Sequence, residues 1–241
     1  MKSNMNSFTF KKINKHGCIT GVSTRYFGSM KSDGIIVKSN SNKLLKKFGL
    51  DSDNSIFMNQ VHGDSVKYLR NDLKEIVKAT DGILTKNDKF ILCVTTADCA
   101  PLVFFSPSKK IIGVAHAGYK GILKGIVEKM ILKFTTLDVR LSDIFVGIGP
   151  CIGDCCYNVS IERIKLFDNR FKFKNKYSKR KGQYYLNLRK IIISVLVSNG
   201  IQRKNIEVLP YCTKCNMQYF YSYRGDSKET FGEFVTFAKL T

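Results

Sequence analysis

Apolar residues recur along the chain with two periods. Short continuous or alternating apolar runs predict strands at 55–61, 65–69, 90–96, 102–106, 111–117 and 144–148, then at 206–209, 219–223 and 231–237, where "FGEFVTF" alternates strictly. A period near 3.6 marks helices. "SNKLLKKFG" has Ser41 as its N-cap and Gly49 as its stop. "GILKGIVEKMILKF" reads as one helix, with Ile122, Leu123, Ile126, Val127, Met130, Ile131 and Phe134 on one broad apolar face. "SIERIKLF" opens on Ser160 as N-cap, and "NLRKIIISVLVSNG" closes at Gly200. Strands and helices in mixed order predict an α+β fold, with layered mixed β-sheets flanked by helices. Neither a repeat nor a linker interrupts the pattern, so residues 1–241 are expected to form a single domain.

Composition adds the compartment. The longest aliphatic run, "IIISVLV", is far short of the ~20 residues that cross a bilayer. The polar, basic start "MKSNMNSFTFKK" lacks the apolar core of a signal peptide. The expectation is a cytoplasmic protein with no membrane partner. Its 8 cysteines are then reduced: core thiols, metal ligands or nucleophiles. Cys18 and Cys93 read as core thiols and Cys151 as a packing residue in a tight turn. Cys212 and Cys215 form a lone CxxC that would need partners such as Cys155 and Cys156 to hold zinc.

A net charge of +21 raises the question of nucleic acid. The lysines are dispersed over nearly every segment, which reads as a solvated surface and not a binding stripe. The densest tract, 170–185, interleaves aromatic and basic residues and reads as a loop or hairpin. No nucleic-acid partner is expected.

Candidate chemistry lies at strand ends. Of the 3 histidines, His16 sits beside a turn near the N-terminus and reads as a surface residue. His62 in "NQVHGDSV", Cys99 in "TTADCAPLVFFSP" and His116 in "GVAHAGYKG" each sit where a predicted strand meets glycine or alanine, leaving room for a ligand. Two imidazoles and a thiolate are three of the four ligands of a tetrahedral zinc, with the fourth position open as in catalytic sites. The same residues also fit a cysteine hydrolase, with Cys99 as nucleophile and His116 or His62 as base.

These segments, together with "DGILT", "GIGPCIGDCCYNV" and "CT…YFYSYRGD", stand in the order and spacing of the laccase-domain family, and the chain resembles it from Gly21 to its last strand. That family is also called multicopper polyphenol oxidase, purine nucleoside phosphorylase or peptidoglycan editing factor. The resemblance implies an α+β fold related to the cytotoxic-necrotizing-factor-like cysteine hydrolases. It implies zinc on His62, Cys99 and His116, with copper as the other metal. It implies phosphorolysis of purine nucleosides (adenosine, inosine, guanosine, methylthioadenosine) with adenosine deamination beside it, so that nucleosides and phosphate are the expected partners. Copper-dependent phenol oxidation and hydrolysis of peptidoglycan precursors are the alternatives it carries.

Within that reading Asp98 is a proton shuttle or an orienting group. Lys120, with the amides opening the helix after Gly118, is a phosphate cradle. Gln60, Tyr119, Arg25 and Arg224 are substrate- or phosphate-binding candidates. The chain departs from the family pattern in three places. Tyr119 and Lys120 replace a tryptophan and an arginine, which keeps a stacking face but loses a bidentate fork to phosphate. Gly232-Glu233 stands where a Gly-Arg pair is usual, removing or reversing a basic contact.

Overall fold

Two six-stranded sheets organise the chain, whose computed structural model describes residues 6–32, 34–70 and 75–241. The first sheet runs, in spatial order, Ser7–Phe8, Cys18–Ser23, Phe234–Leu240, Ile91–Thr96, Ser55–Met58 and Ile76–Val77. The second runs Ile206–Val208, Phe145–Ile148, Ala100–Ser106, Ile111–Ala117, Gly82–Thr85 and Val66–Leu69. The second sheet is antiparallel at its centre and parallel at both edges. The first is antiparallel except where Ser55–Met58 pairs in parallel with both its neighbours.

The near-continuous apolar strands "APLVFFS" and "IIGVAHA" are buried along their whole length because both faces of their sheet are covered. Side-chain alternation sorts them between two cores. Val103, Phe105, Ile112 and Val114 point at the first sheet and meet Leu92, Val94 and Phe234 there. Leu102, Phe104 and Ala115 point the other way, onto helices Ile126–Thr135, Ile161–Arg170 and Leu188–Ser198. The outer face of the first sheet is covered by helix Lys38–Lys47, whose Leu44 and Leu45 join Ile91, Cys93, Val235 and Phe237. The order is helix, sheet, sheet, helix, an α+β architecture of mixed sheets.

Several local expectations change. The long helix predicted after Gly121 is two, Tyr119–Lys124 and Ile126–Thr135, broken where Gly125 takes φ +103°. A residue with a Cβ resists that conformation, so the apolar period runs through a break that the pattern does not show. Ser41 is not a cap. It lies inside Lys38–Lys47 and donates to the Lys38 carbonyl at 2.9 Å. Gly49, at φ +69°, does follow the end of that helix. Ser160 does cap its helix, accepting from the Arg163 amide at 3.4 Å. The run 219–223 is a turn, not a strand. Its apolar character comes from Phe220, which packs its ring between Phe8 and Phe234. The last strand begins at Phe234, three residues later than the alternation suggests. Strands Cys18–Ser23 and Gly82–Thr85 had no predicted counterpart. Among the described residues no helix is long and apolar enough to cross a membrane.

Phe104 is fully buried between the second sheet and helix Ile126–Thr135, its ring 5.9 Å from that of Phe134. Phe104→Ala should therefore cost about 3–5 kcal/mol. Reversible denaturant unfolding checks this, and a loss below about 1 kcal/mol would show that the interface repacks freely.

Candidate metal centre and pocket

The chain crosses from the first sheet to the second between Thr96 and Ala100, and Cys99 sits on that crossing. Asp98 turns the backbone there with φ +84°. His116 is in the adjacent strand Ile111–Ala117, opposite Pro101 in the ladder. His62, at φ +56°, lies in the loop after Ser55–Met58. Three segments from two sheets thus converge. The ligand atoms of His62, Cys99 and His116 all lie within 4.8 Å of one another. His62 Nε2 is 3.9 Å from Cys99 Sγ, and the two imidazoles meet edge to face at 4.6 Å. Gly118 leaves this space open: a Cβ there would sit 2.9 Å from Cys99 Sγ and 3.0 Å from the His62 ring.

Asp81 builds the centre without touching its open side. Its fully buried carboxylate accepts from His116 Nδ1 at 2.9 Å and from the amides of His62 at 3.0 Å, Gly63 at 2.8 Å and Val61 at 3.2 Å. The Asp81 carbonyl also accepts the His116 amide at 2.7 Å. The Nδ1 bond fixes the ring so that Nε2 faces the other ligands, as metal-binding histidines require. Burial opposes ionisation of Asp81, but the His116 ring and the Gly63 and Val61 amides outweigh it and hold the carboxyl below its usual value. Without a metal, burial likewise opposes charge on Cys99 and His116, yet their mutual attraction wins. It draws the thiol down and pushes the imidazole up. Each group thus favours the charged form of the other, an arrangement a divalent ion would replace.

A cavity of 530 Å³ opens beside these residues. Gln60, Asp98, Tyr119, Lys120 and Arg224 line it. Arg25 does not. Its guanidinium pairs with Asp226, donates to the Phe220 carbonyl at 3.0 Å and lies 4.1 Å above the Tyr221 ring. Gln60 is engaged with the first sheet, its amide donating to the Thr95 carbonyl at 2.8 Å and accepting the Thr95 amide at 3.0 Å. Both oxygens of Asp98 are taken, Oδ1 by the Thr213 hydroxyl at 2.5 Å and Oδ2 by the Arg224 amide at 2.8 Å. Asp98 thus acts as a clasp between three loops.

Several further lining residues were not singled out in the sequence. Arg163 stacks its guanidinium 4.0 Å from the Tyr119 ring centre. Lys31 adds another cation, and Tyr223 and Phe231 form an exposed edge-to-face pair 5.8 Å apart. Glu233, noted as a departure from the family pattern, also lines the cavity, and its Oε2 is buried without a hydrogen-bond partner among the described residues. Asp81 had one signal, an acidic residue heading the short apolar run of the motif "DGILT". Arg163 had only its place in the first turn after the Ser160 cap. The basic tract 170–185 is a hairpin, Tyr177–Arg180 with Gln183–Leu186. There Arg180 lies 3.9 Å above the Tyr185 ring and Lys179 5.3 Å from that of Tyr184, so these aromatics already carry the chain's own cations.

The model of the multi-copper polyphenol oxidoreductase laccase family matches residues 20–241. The chain belongs to this family. It is 30% identical over 236 residues to the purine nucleoside phosphorylase YlmD of Bacillus subtilis, spanning 90% of this chain and 84% of that one. The crystal structure of Bacillus licheniformis hypothetical protein YfiH superposes with a TM-score of 0.89 at 26% identity, covering 100% and 98% of the two chains. That of YlmD from Geobacillus stearothermophilus gives 0.85 at 27% identity, covering 93% and 92%. The α+β fold of this chain is that of its relatives.

Asp81→Asn keeps the shape and removes the charge that holds both histidines. It should weaken metal binding roughly 10–100-fold, the usual cost of losing such a support. Competition with a chelator of known affinity measures this. Metal retained at wild-type strength would show that Asp81 serves the fold alone.

Proposed function

We propose that the chain is a purine nucleoside phosphorylase, acting in the cytoplasm on nucleosides bound beside His62, Cys99 and His116. The observation that carries the reading is one pocket that joins this metal-ligand set to Lys120, Arg163 and Arg224, in a chain whose curated relatives bear that name. Phosphorolysis needs an anion site next to a flat, largely neutral one. The three cations supply the first. Tyr119 and the Tyr223–Phe231 pair supply aromatic surface for the second.

His62, Cys99 and His116 fit zinc better than copper as a resident ion, with neutral imidazoles and a thiolate closing three corners of a tetrahedron. When bound, such an ion supplies a Lewis acid with one open position. The chain's own residues do the rest. Lys120 and Arg163 hold the phosphate against the ribose. A phosphate oxygen forms a bond to C1′ as the C1′–N9 bond breaks, and the purine leaves with the electron pair and takes up a proton. The unpartnered Oε2 of Glu233 accepts from a ribose hydroxyl or a base N–H. Adenosine deamination at the same pocket is expected to be the weaker activity, because Asp98 is already occupied on both oxygens and positions Cys99 instead of carrying a proton.

A second reading has one observation in its favour. In the metal-free chain the Cys99 thiol is drawn down by His116 and His62, as a hydrolase nucleophile would be. Cys99→Asp separates the two, since a carboxylate ligates zinc but forms no thioester. Under the phosphorylase reading this variant keeps some metal and some activity. Ready labelling of Cys99 by iodoacetamide in the metal-loaded enzyme, with a covalent substrate adduct on its sulfur, would transfer the case to the hydrolase.

The direct test is a nucleoside panel with and without phosphate, products identified by mass. Free base and ribose 1-phosphate formed only with phosphate are expected, and base release independent of phosphate would count against the proposal. Lys120→Ala and Arg163→Ala should each raise the KM for phosphate roughly 10–100-fold, the worth of a hydrogen bond to a charged group. The KM for nucleoside should change far less. Equal effects on both would place these side chains elsewhere in the reaction.

A further inference from the structure

Four thiols that the sequence scatters meet at one place beside the pocket. Cys155 and Cys156 lie in the turn that follows Cys151, and Cys212 and Cys215 in the turn that opens after Tyr211. Their four sulfurs all lie within 4.8 Å of one another. Cys215 Sγ is 3.4 Å from Cys155 Sγ and 3.4 Å from Cys156 Sγ. It is shared equally between them, as in a cage and not in a pair. Four sulfurs around a tetrahedral ion with bonds of about 2.3 Å stand about 3.8 Å apart, so little adjustment separates this cluster from a filled cage.

The surroundings also suit a cage. The Gly153 amide donates to Cys212 Sγ at 3.2 Å, a bond that a thiolate accepts well. A Cβ on Gly153 would lie 3.0 Å from Cys155 Sγ and 3.2 Å from Cys212 Cβ, so glycine keeps the space clear. The two turns are already joined by a parallel bridge between Cys151 and Cys212. Cys155 and Cys215 are exposed, which leaves an entry path from solvent.

We infer that Cys155, Cys156, Cys212 and Cys215 form a second metal site, a closed all-thiolate cage for a zinc-class divalent ion that ties these two turns together. Four protein ligands leave no open position, so the ion is structural. Its effect reaches the candidate active site through Asp98. Thr213, between Cys212 and Cys215, donates its hydroxyl to Asp98 Oδ1, and the Ile152 amide, next to Cys151, donates to the Asp98 carbonyl at 2.9 Å. Both turns of the cage therefore hold the residue that places Cys99. The inference stands on the thiol geometry and is independent of the reaction proposed above.

The test uses the full chain purified from zinc-supplemented medium. Zinc per chain is measured by mass spectrometry of the metal, with native alkylation of the thiols followed by peptide mapping. Two zinc ions per chain are expected. Cys155→Ser with Cys215→Ser should leave one, and His62→Ala with His116→Ala should also leave one. Cobalt loaded into the latter variant should show the strong thiolate charge-transfer bands of a tetrahedral all-sulfur site. If the cysteine variant fails to fold, alkylation of the wild-type chain still decides: the four cysteines should be protected until a chelator is added, and their exposure should lower the melting temperature. One zinc per chain in the wild type, with Cys155, Cys156 and Cys215 alkylated as free thiols, would overturn the inference. So would a disulfide among them in the freshly purified protein.

Discussion

The carboxylate of Asp81 is the contact on which the candidate metal centre depends. A buried charge of this kind is tolerable only when its oxygens are fully bonded. Here the bonds come from the His116 ring and from three successive amides, Val61, His62 and Gly63. Satisfying that one charge draws the loop after the first sheet's Ser55–Met58 onto the second sheet's strand Ile111–Ala117. The two imidazoles meet as a consequence. Because the folded carboxyl ionises below its ordinary value, its contribution to stability is complete at neutral pH and fades as the pH falls through the acid range.

Cys99, the third member of the candidate set, is placed by a different constraint. The chain must leave one sheet and enter the other within the few residues between Thr96 and Ala100, and it does so with Asp98 in the left-handed region. A non-glycine residue held there carries strain that its surroundings must over-determine. Thr213, Arg224 and Ile152 do this, each binding a different oxygen of Asp98. The loops of 151–156 and 212–216 are therefore part of the site even though none of their side chains joins the His62, Cys99 and His116 set.

The four-layer packing supplies the rigidity for both arrangements. Strands Ala100–Ser106 and Ile111–Ala117 are covered on both faces and paired along their whole length, and the candidate site lies at their ends. The high net positive charge acts at this edge in a restrained way. Lys31, Lys120, Arg163 and Arg224 face the cavity, while the aromatic residues of the 177–186 hairpin are covered by their own cations. One composition thus yields both a cation-lined pocket and a hairpin whose tyrosines pair with the chain's own cations.

The sequence by itself determined the elements whose information is local. The apolar runs of 90–96, 102–106 and 111–117 identify strands, observed at Ile91–Thr96, Ala100–Ser106 and Ile111–Ala117, and Ser160, Gly49 and Gly200 mark helix ends through side-chain or backbone chemistry acting within a few residues. His62, Cys99 and His116 could be picked out as candidates because each lies in a distinctive motif at a strand end, and the fold brings their side chains together. Tertiary structure decided what depends on partners far along the chain. Whether Gly125 breaks a helix, and whether 219–223 is strand or turn, is settled by packing that the periodic pattern does not contain. Asp81, Arg163 and Glu233 became site residues only when the two sheets closed, and Arg25 was drawn away by Asp226. The sequence offered Cys155 and Cys156 as possible partners for Cys212 and Cys215, but the meeting of the two pairs comes from tertiary contacts such as the bridge between Cys151 and Cys212 and the Gly153 amide on Cys212 Sγ. Local period constrains a residue's face. It says nothing about which distant face will meet it.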